Sequence, residues 1–582
     1  MAKKAMIFLI IAAMSVLGLS GSLYSSVFTE ILSVFYDVSS TNDQEENEKT
    51  VKAYQVDATT AATREIPTLE DSEEETYAGD YDVVVIGAGG GGLSAAATLS
   101  MGGMKVLVIE QHSKVGGYMT NFTRGDYTFE TTLMHFGGFN QHAGTNNHLF
   151  KTLDIIDRIK PLPLETAYIA VYPDATYTIP IDPDEYQEYL IEKFPNEEAG
   201  IKGFFKTTGC METALLISKA VLDKKPLEAL SAWIKNPLFM LTFMKYSNSS
   251  VAEMLDEYFQ DEKLKGVISW LAAYTEASLE EMPCMAMLGM FSGLHYGGFY
   301  HFEGGSQSVT NALADVIEEN GGVIKLSTMA TKIVIENDKA VAVKTSDGSL
   351  YNCNYVVSNA NALDTYNKMI GREYLPEEFL EMLNSKKVAG GFFFIYLGVN
   401  KDYTDKFNGT HVMSVSSHYI PPEGYGPQSG DTPETVRYII SNFSAIDSTV
   451  APSGKNVISI HFSLPEDYEE DAFDNDSTYM EFKEEVAQTI IKRVETYLPG
   501  LSDYTEVMEV ATPRTMEHYT LNTNGATGGW AVSMHSGFER LPQQSPIENL
   551  LLAGHWTSVG SEEMVMRSGL SAGNIILKMD KK

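Results

Sequence analysis

The glycine run Gly87-Ala88-Gly89-Gly90-Gly91-Gly92 and the acid Glu110, 18 residues past Gly92, are the residues whose types and spacing point most directly to chemistry. The run fits G-x-G-x-x-G. Gly87 permits a tight turn, Gly89 lets a pyrophosphate approach the backbone, and Gly92 allows a helix to pack closely on a strand. A carboxylate at the spacing of Glu110 accepts hydrogen bonds from a ribose hydroxyl. These residues act only if elements position them. Tyr81–Ile86 is a short β-rich run that reads as a buried strand. Leu93–Leu99 reads as a helix, whose N-terminal N–H groups and dipole face the phosphates. Lys105–Ile109 reads as a second strand that ends on Glu110. Strand, turn, helix, strand and acid fall in order, which predicts an α/β fold with a dinucleotide site. Which dinucleotide is left open by that unit alone.

The whole chain excludes several function classes. Its 582 residues call for more than one structural unit. Lys+Arg 42 against Asp+Glu 78 gives a formal charge of −36, and so acidic a surface repels a phosphate backbone, which argues against nucleic acid as a partner. Hydrophobic residues at 44% and charged residues at 21% exclude both global disorder and a multi-span membrane protein. The three cysteines, Cys210, Cys284 and Cys353, form no CxxC pair, and no HExxH occurs, so no metal site is expected.

The front of the chain reads as an address. Lys3 and Lys4 precede Ala5–Leu19, apolar apart from Ser15 and Gly18. Residues 1–40 are therefore expected to hold a signal peptide or a membrane anchor, Ala5–Phe28 being long enough to span a bilayer if uncut. A buried N-terminal helix is the alternative. Residues 41–79 are strongly acidic and poor in apolar residues, which fits a solvated linker. The expected location is extracytoplasmic, either membrane-anchored or secreted.

Downstream of the first unit, Gly116-Gly117 and Gly125–Glu130 make the sequence resemble the FAD-binding start of the phytoene desaturase, carotenoid isomerase and retinol saturase family, whose wider relatives are the flavin amine oxidases. The resemblance continues through Ser250–Leu264, Glu303–Ser306, Val356–Ala360, Asn549–Thr557 and Gly560–Gly573. It implies FAD as cofactor. It also implies an FAD-binding Rossmann-like domain of the glutathione reductase type, built from 80–150, 300–372 and 505–582. An α+β substrate domain, from 151–299 and 373–504, is interleaved with it. On the same ground Gly116, Gly117, Ala330, Gly554, His555, Met564 and Val565 join Gly87, Gly89, Gly92 and Glu110 as cofactor-binding residues. Two positions depart from the pattern. Thr132 stands where the family has glycine, and Tyr118 where amine oxidases tend to have arginine, which weighs against an amine oxidase.

Met282–Phe302 carries no formal charge in 21 residues and is rich in methionine and aromatics. Such a stretch suits a long apolar ligand, or it is plain core. Gly391–Gly398 reads as a strand buried on both faces, as core or as pocket wall. Trp233–Met244 is core or a membrane-surface contact. Among the histidines, His135 is the candidate catalytic acid or orienting group on the substrate side. The leading expectation is an FAD-dependent oxidoreductase. It would act on a carbon–carbon double bond of a lipophilic polyene, isoprenoid or lipid, by desaturation, saturation or cis/trans isomerisation. The alternatives are an amine oxidase-like enzyme oxidising a C–N bond and a non-catalytic membrane-tethered flavoprotein. No second glycine fingerprint follows a strand, so NADH and NADPH are expected to reduce the flavin poorly, with a separate electron carrier or quinone as partner.

Overall fold

The computed structural model describes residues 76–140, 145–211, 213, 236–275, 277–420, 431–465, 476–534 and 540–581. The expected signal or anchor in 1–40, the linker up to residue 75 and the stretch 214–235 lie outside the described residues.

Strand β1 (Thr76–Ile86) ends in four buried residues, Val83–Ile86. It has a parallel neighbour on each side: β2 (Val106–Ile109), in register from Val83↔Val106 to Ile86↔Ile109, and Ser349–Ser358, reaching Ile86↔Ser358. Both faces are covered. Val83 and Val85 share a core with the helix that follows, and Val84 and Ile86 share another with Tyr366 and Trp556. This is why the run is apolar without alternation. Helix α1 (Gly90–Met101) connects β1 to β2 and is buried from Gly90 to Ser100. It is enclosed because α2 (Ser306–Glu319) and α3 (Glu562–Met579) pack beside it. Small residues allow the close crossing. A Cβ added to Gly573 of α3 would stand 2.8 Å from Thr98 Cβ, and one on Gly569 would run into the Gly91 carbonyl.

The first sheet runs in the order Ala330–Glu336, Lys339–Thr345, Ser349–Ser358, β1, β2, Val323–Lys325. Leu550–Leu552 pairs in parallel with the C-terminal end of Ser349–Ser358. Val323–Lys325 and Ala330–Glu336 are separate strands, because Ser327 (φ 51) breaks the run. The break turns Met329 and Ala330 toward the glycine-rich turn's side of the sheet, where both line a cavity.

The second sheet is centred on β3 (Phe393–Val399), buried at all seven positions. Its order is Thr505–Ala511, β3, Asn456–Phe462, Tyr438–Asn442, Val412–Val415, Thr166–Val171, Thr176–Pro180. The period of two divides β3 between two cores. Phe393, Ile395 and Leu397 pack with Ile490 and Val494 of the helix Asp476–Val494, while Phe394 and Tyr396 pack with Tyr127 and Phe129.

Two expected boundaries move. β1 begins at Thr76, inside the stretch read as linker to 79, because Thr76, Tyr77 and Gly79 pair with Ser349, Leu350 and Tyr351. Thr505–Ala511, read as the start of the last FAD-domain stretch, pairs with β3 along its free edge and so belongs to the second sheet.

Candidate active site

The turn after β1 and the loop after β2 close on one another. Gly116 N–H donates to Ala88 O at 2.8 Å, and Gly89 and Gly116 are bridged. Gly87 (φ +91) and Gly116 (φ +128) hold backbone conformations that an L side chain rarely adopts. Glu110 is buried at the end of β2. Its Oε2 accepts from Ala88 N–H at 2.7 Å and its Oε1 from His112 N–H at 2.8 Å. Burial pushes its carboxyl above the ordinary value, and the backbone donors oppose that shift. Each oxygen keeps a lone pair for a ribose hydroxyl.

Asn359, at the end of Ser349–Ser358, is the hub that the sequence did not single out. A Cβ on Gly89 would meet its Nδ2 at 2.8 Å, and one on Gly91 or Gly554 would meet its Oδ1 at 2.5 Å. Gly91 is also closed by Gly554, whose N would stand 2.7 Å from that Cβ. Gly92 plays a different part. A Cβ there would run into the Gly87 carbonyl, so Gly92 governs helix–strand packing and does not line the cavity. Gly117, Ala330, Gly554, His555, Met564 and Val565 all line the same cavity as Gly87, Gly89, Glu110 and Gly116. His555 is held at 3.3 Å from Asn522 Oδ1, and burial together with nearby Arg540 pushes its ring down to about 4. It is a neutral border of the cradle. A cradle lined by glycine, walled by the N-terminal end of α1 and ending in a buried carboxylate fits the pyrophosphate and ribose of FAD.

The cavity measures about 1770 Å³. An ordinary single-ligand site holds about 300–1,000 Å³, so there is room for a dinucleotide and a second large molecule. Beyond the cradle the walls become apolar. Met285, Ala286, Gly289, Met290, Gly293 and Leu294 line one side, and Phe394, Tyr396 and Ile439 of the second sheet, with Phe392 just before β3, line another. The charge-free stretch is thus split, since Met282, Met287 and Phe291 are core. Gly289 and Gly293 face open space: a Cβ on either meets nothing within 4 Å.

His135 lines this chamber, with Nδ1 2.8 Å from the Tyr274 hydroxyl. Burial and nearby His411 hold its ring well below the ordinary value, so it is a neutral hydrogen-bonding imidazole and not a charged acid. Tyr274 and Glu562 also line the chamber. Sequence reading missed both. The Glu562-Glu563 pair opening a helix after Gly560 was a usable signal for one, and Tyr274 had none. Among the described residues no cluster of three or more His, Cys, Asp or Glu could hold a metal ion.

Fold and cradle together define a dinucleotide-binding oxidoreductase in which a second sheet closes a large chamber over the cofactor. The family of flavin containing amine oxidoreductases matches residues 91–577, and the chain belongs to that family. Its cofactor is FAD, and it is an FAD-dependent oxidoreductase. Prolycopene isomerase 1 of an Oncidium hybrid cultivar is 27% identical over 494 residues, covering 83% of this chain and 80% of that protein. The 4,4'-diapophytoene desaturase of Methylomonas sp is 26% identical over 493 residues (82% and 91%). The all-trans-retinol 13,14-reductase of Danio rerio is 23% identical over 536 residues (86% of each). Among solved structures, an oxidoreductase from Methanosarcina mazei aligns with a TM-score of 0.54 at 17% identity, over 85% of this chain and 100% of that one. These structural likenesses are likenesses of fold.

Proposed function

We propose that this enzyme forms, removes or isomerises a carbon–carbon double bond in a lipophilic polyene. The observation that carries the reading is the open slot at Gly289 and Gly293. A glycine inside a helix costs about 1 kcal/mol relative to alanine. Gly289 incurs that cost within Cys284–Phe291, and Gly293 lies in the next turn, yet among the described residues nothing fills the space they leave. A chamber with a methionine and aromatic wall and a slot of that kind suits a long, flat apolar chain. The named activities of the isomerase, desaturase and reductase relatives support the same class of substrate.

Bound FAD supplies hydride acceptance or donation. The protein's share is to hold it with Gly87, Gly89, Gly117, Glu110 and Gly554, to keep the chamber apolar and to orient the substrate with Tyr274 and His135. Mass spectrometry of lipophilic extracts incubated with FAD-loaded protein tests the reading. A polyene gaining or losing two hydrogens, or changing isomer, supports it. An extract unchanged except in an amine sinks it.

The same proposal covers location and partners. Lys3, Lys4 and the apolar run after them support export, with 1–40 as a tether or a cleaved signal. Among the described residues no helix is long and apolar enough to cross a membrane. Leu241 and Met244 are exposed on the helix Pro237–Tyr246, which supports contact with a membrane surface. Electrons pass to or from a separate carrier or quinone. Recovery of the uncut full-length chain entirely in cytosol overturns the export reading.

A further inference from the structure

We propose that Glu562 is the catalytic residue that takes up or delivers the proton of the carbon–carbon bond chemistry, an inference that rests on the polyene reading. Glu562 is the first residue of α3 and lines the chamber. The turn it opens borders the cradle: Val565 Cγ2 would stand 3.3 Å from a Cβ on Gly90. The side chain therefore sits where the nucleotide cradle gives way to the apolar chamber.

The other acids on the cavity wall are occupied. Glu110 holds two backbone N–H groups. Glu509 pairs with Arg124 at 2.6 Å, Glu563 with Arg567 at 2.7 Å and Asp364 with Lys368 at 2.9 Å, while Asp431 accepts from Thr435. Glu562 is different. Among the described residues no other side chain bonds to it or pairs with it. Three groups sense its charge: Glu563 on its own helix, Glu130 on the strand Tyr127–Glu130, and Tyr274 on the turn Ser269–Tyr274. None is basic. A carboxylate at a helix N-terminus is ordinarily held low by the dipole. Here the desolvation of a partly buried side chain, then Glu563, pushes the carboxyl up to about 7, against the lowering effect of its own backbone N–H. An acid balanced near neutrality can both give and take a proton.

Glu130, also pushed by burial to about 7, is not the proton carrier. Its oxygens accept from Ser306 N–H at 2.8 Å and Ser306 Oγ–H at 2.6 Å, and it does not line the cavity. Tyr274 is held above its ordinary value, and its hydroxyl is engaged with His135. That neutral pair positions the substrate and leaves the proton to Glu562.

The step balances. In desaturation two adjacent C–H bonds break. One electron pair leaves as hydride to oxidised FAD, which is reduced by two electrons. The neighbouring hydrogen leaves as a proton to the Glu562 carboxylate, and the C=C bond forms. Saturation is the reverse, with the protonated carboxyl as donor.

The test uses the full-length FAD-loaded chain, a polyene that the wild type turns over, and the variants Glu562→Gln and Glu562→Asp. Rates are followed from about pH 5.5 to about pH 8.5, in H2O and in D2O. Glu562→Gln is expected to keep its FAD and lose about 100-fold or more in kcat. The wild-type inflection near pH 7 should vanish in that variant and persist in Glu562→Asp. Rate rising with pH marks desaturation, and rate falling with pH marks saturation. Solvent deuterium should enter the reacting carbon of a saturated product in the wild type, or of recovered substrate in desaturation. A Gln variant within about threefold of wild type and with the same pH profile overturns the inference. So does a Gln variant that has lost its FAD, since Glu562 would then be a cofactor-holding residue. A wild type inactive on every polyene is a different result, because it sinks the polyene reading and this inference with it.

Discussion

The Thr132 hydroxyl donates to the Tyr118 carbonyl across 3.0 Å. These are the two positions where the chain departs from the resembled pattern, Thr132 from the family's glycine and Tyr118 from the amine oxidases' arginine, and they touch. Thr131 donates to the same carbonyl at 2.9 Å. The Tyr118 hydroxyl in turn donates to Gly525 O at 3.0 Å, and burial pushes its phenol up to about 12, so it stays a neutral donor. The cradle loop is thereby tied to the 520–526 loop. Tyr118→Phe cuts that tie at a cost of about 1 kcal/mol, or about fivefold in FAD affinity. Fluorescence titration with FAD checks this, and an unchanged affinity would show the tie to be idle.

Two glycines should fail in opposite ways. Gly92→Ala forces a Cβ onto the Gly87 carbonyl, a backbone atom, so the turn must open and FAD should be lost. Gly289→Leu puts a side chain into empty space, so FAD content should be kept while a long polyene is excluded. The absorbance of bound flavin and the KM for polyene separate them. Gly89→Val should abolish FAD binding, because its side chain would occupy the path of the pyrophosphate, and its Cβ already meets the tip of Asn359 at 2.8 Å.

Acid should destabilise the fold through histidine. Burial holds His295 near 4 and His301, His411 and His461 near 3, with His135 also well below its ordinary value of 6.5. The unfolded chain binds these protons below 6.5 and the native chain does not. Stability is therefore complete above 6.5 and falls toward about 4, each histidine adding up to about 1.4 kcal/mol per pH unit. Glu130 and Glu562, raised to about 7, act the other way between 4.5 and 7, as does Glu110, also raised, but they are three against six once His555, held near 4, is counted. Unfolding by urea near about pH 5.5 should take up protons. Net release would contradict this account.

Truncation tests the corrected start of β1. Removing 1–75 leaves the strand whole and should leave FAD binding and the urea midpoint unchanged. Removing 1–80 strips the pairs from Thr76↔Ser349 to Asp80↔Asn352 and should cost about 1–3 kcal/mol. Equal midpoints for the two truncations would refute the pairing.

NADPH should bleach the flavin slowly, because Gly297-Gly298 and Gly528-Gly529 follow no strand, and Gly304-Gly305, between the short strand Tyr300–Phe302 and α2, carries no G-x-G-x-x-G. Anaerobic stopped-flow spectroscopy decides it. Fast bleaching at micromolar NADPH defeats the expectation, and fast reoxidation by a polyene or quinone supports it.

The β1–α1–β2 unit with its acid was legible from the chain because its constraints are local. A tight turn, a close helix and a carboxylate one strand away are requirements on residues within one short stretch. The two-faced burial of β3 was legible for a similar reason, since a continuous apolar run has no face to give to water. What remained hidden depends on contacts between distant residues. His135, Tyr274 and Glu562 meet around one chamber only because three separate stretches converge there. Thr505–Ala511 joined the second sheet because β3 had an open edge to fill, which no local pattern records. The proton balance of Glu562 follows first from desolvation, which packing decides and composition does not.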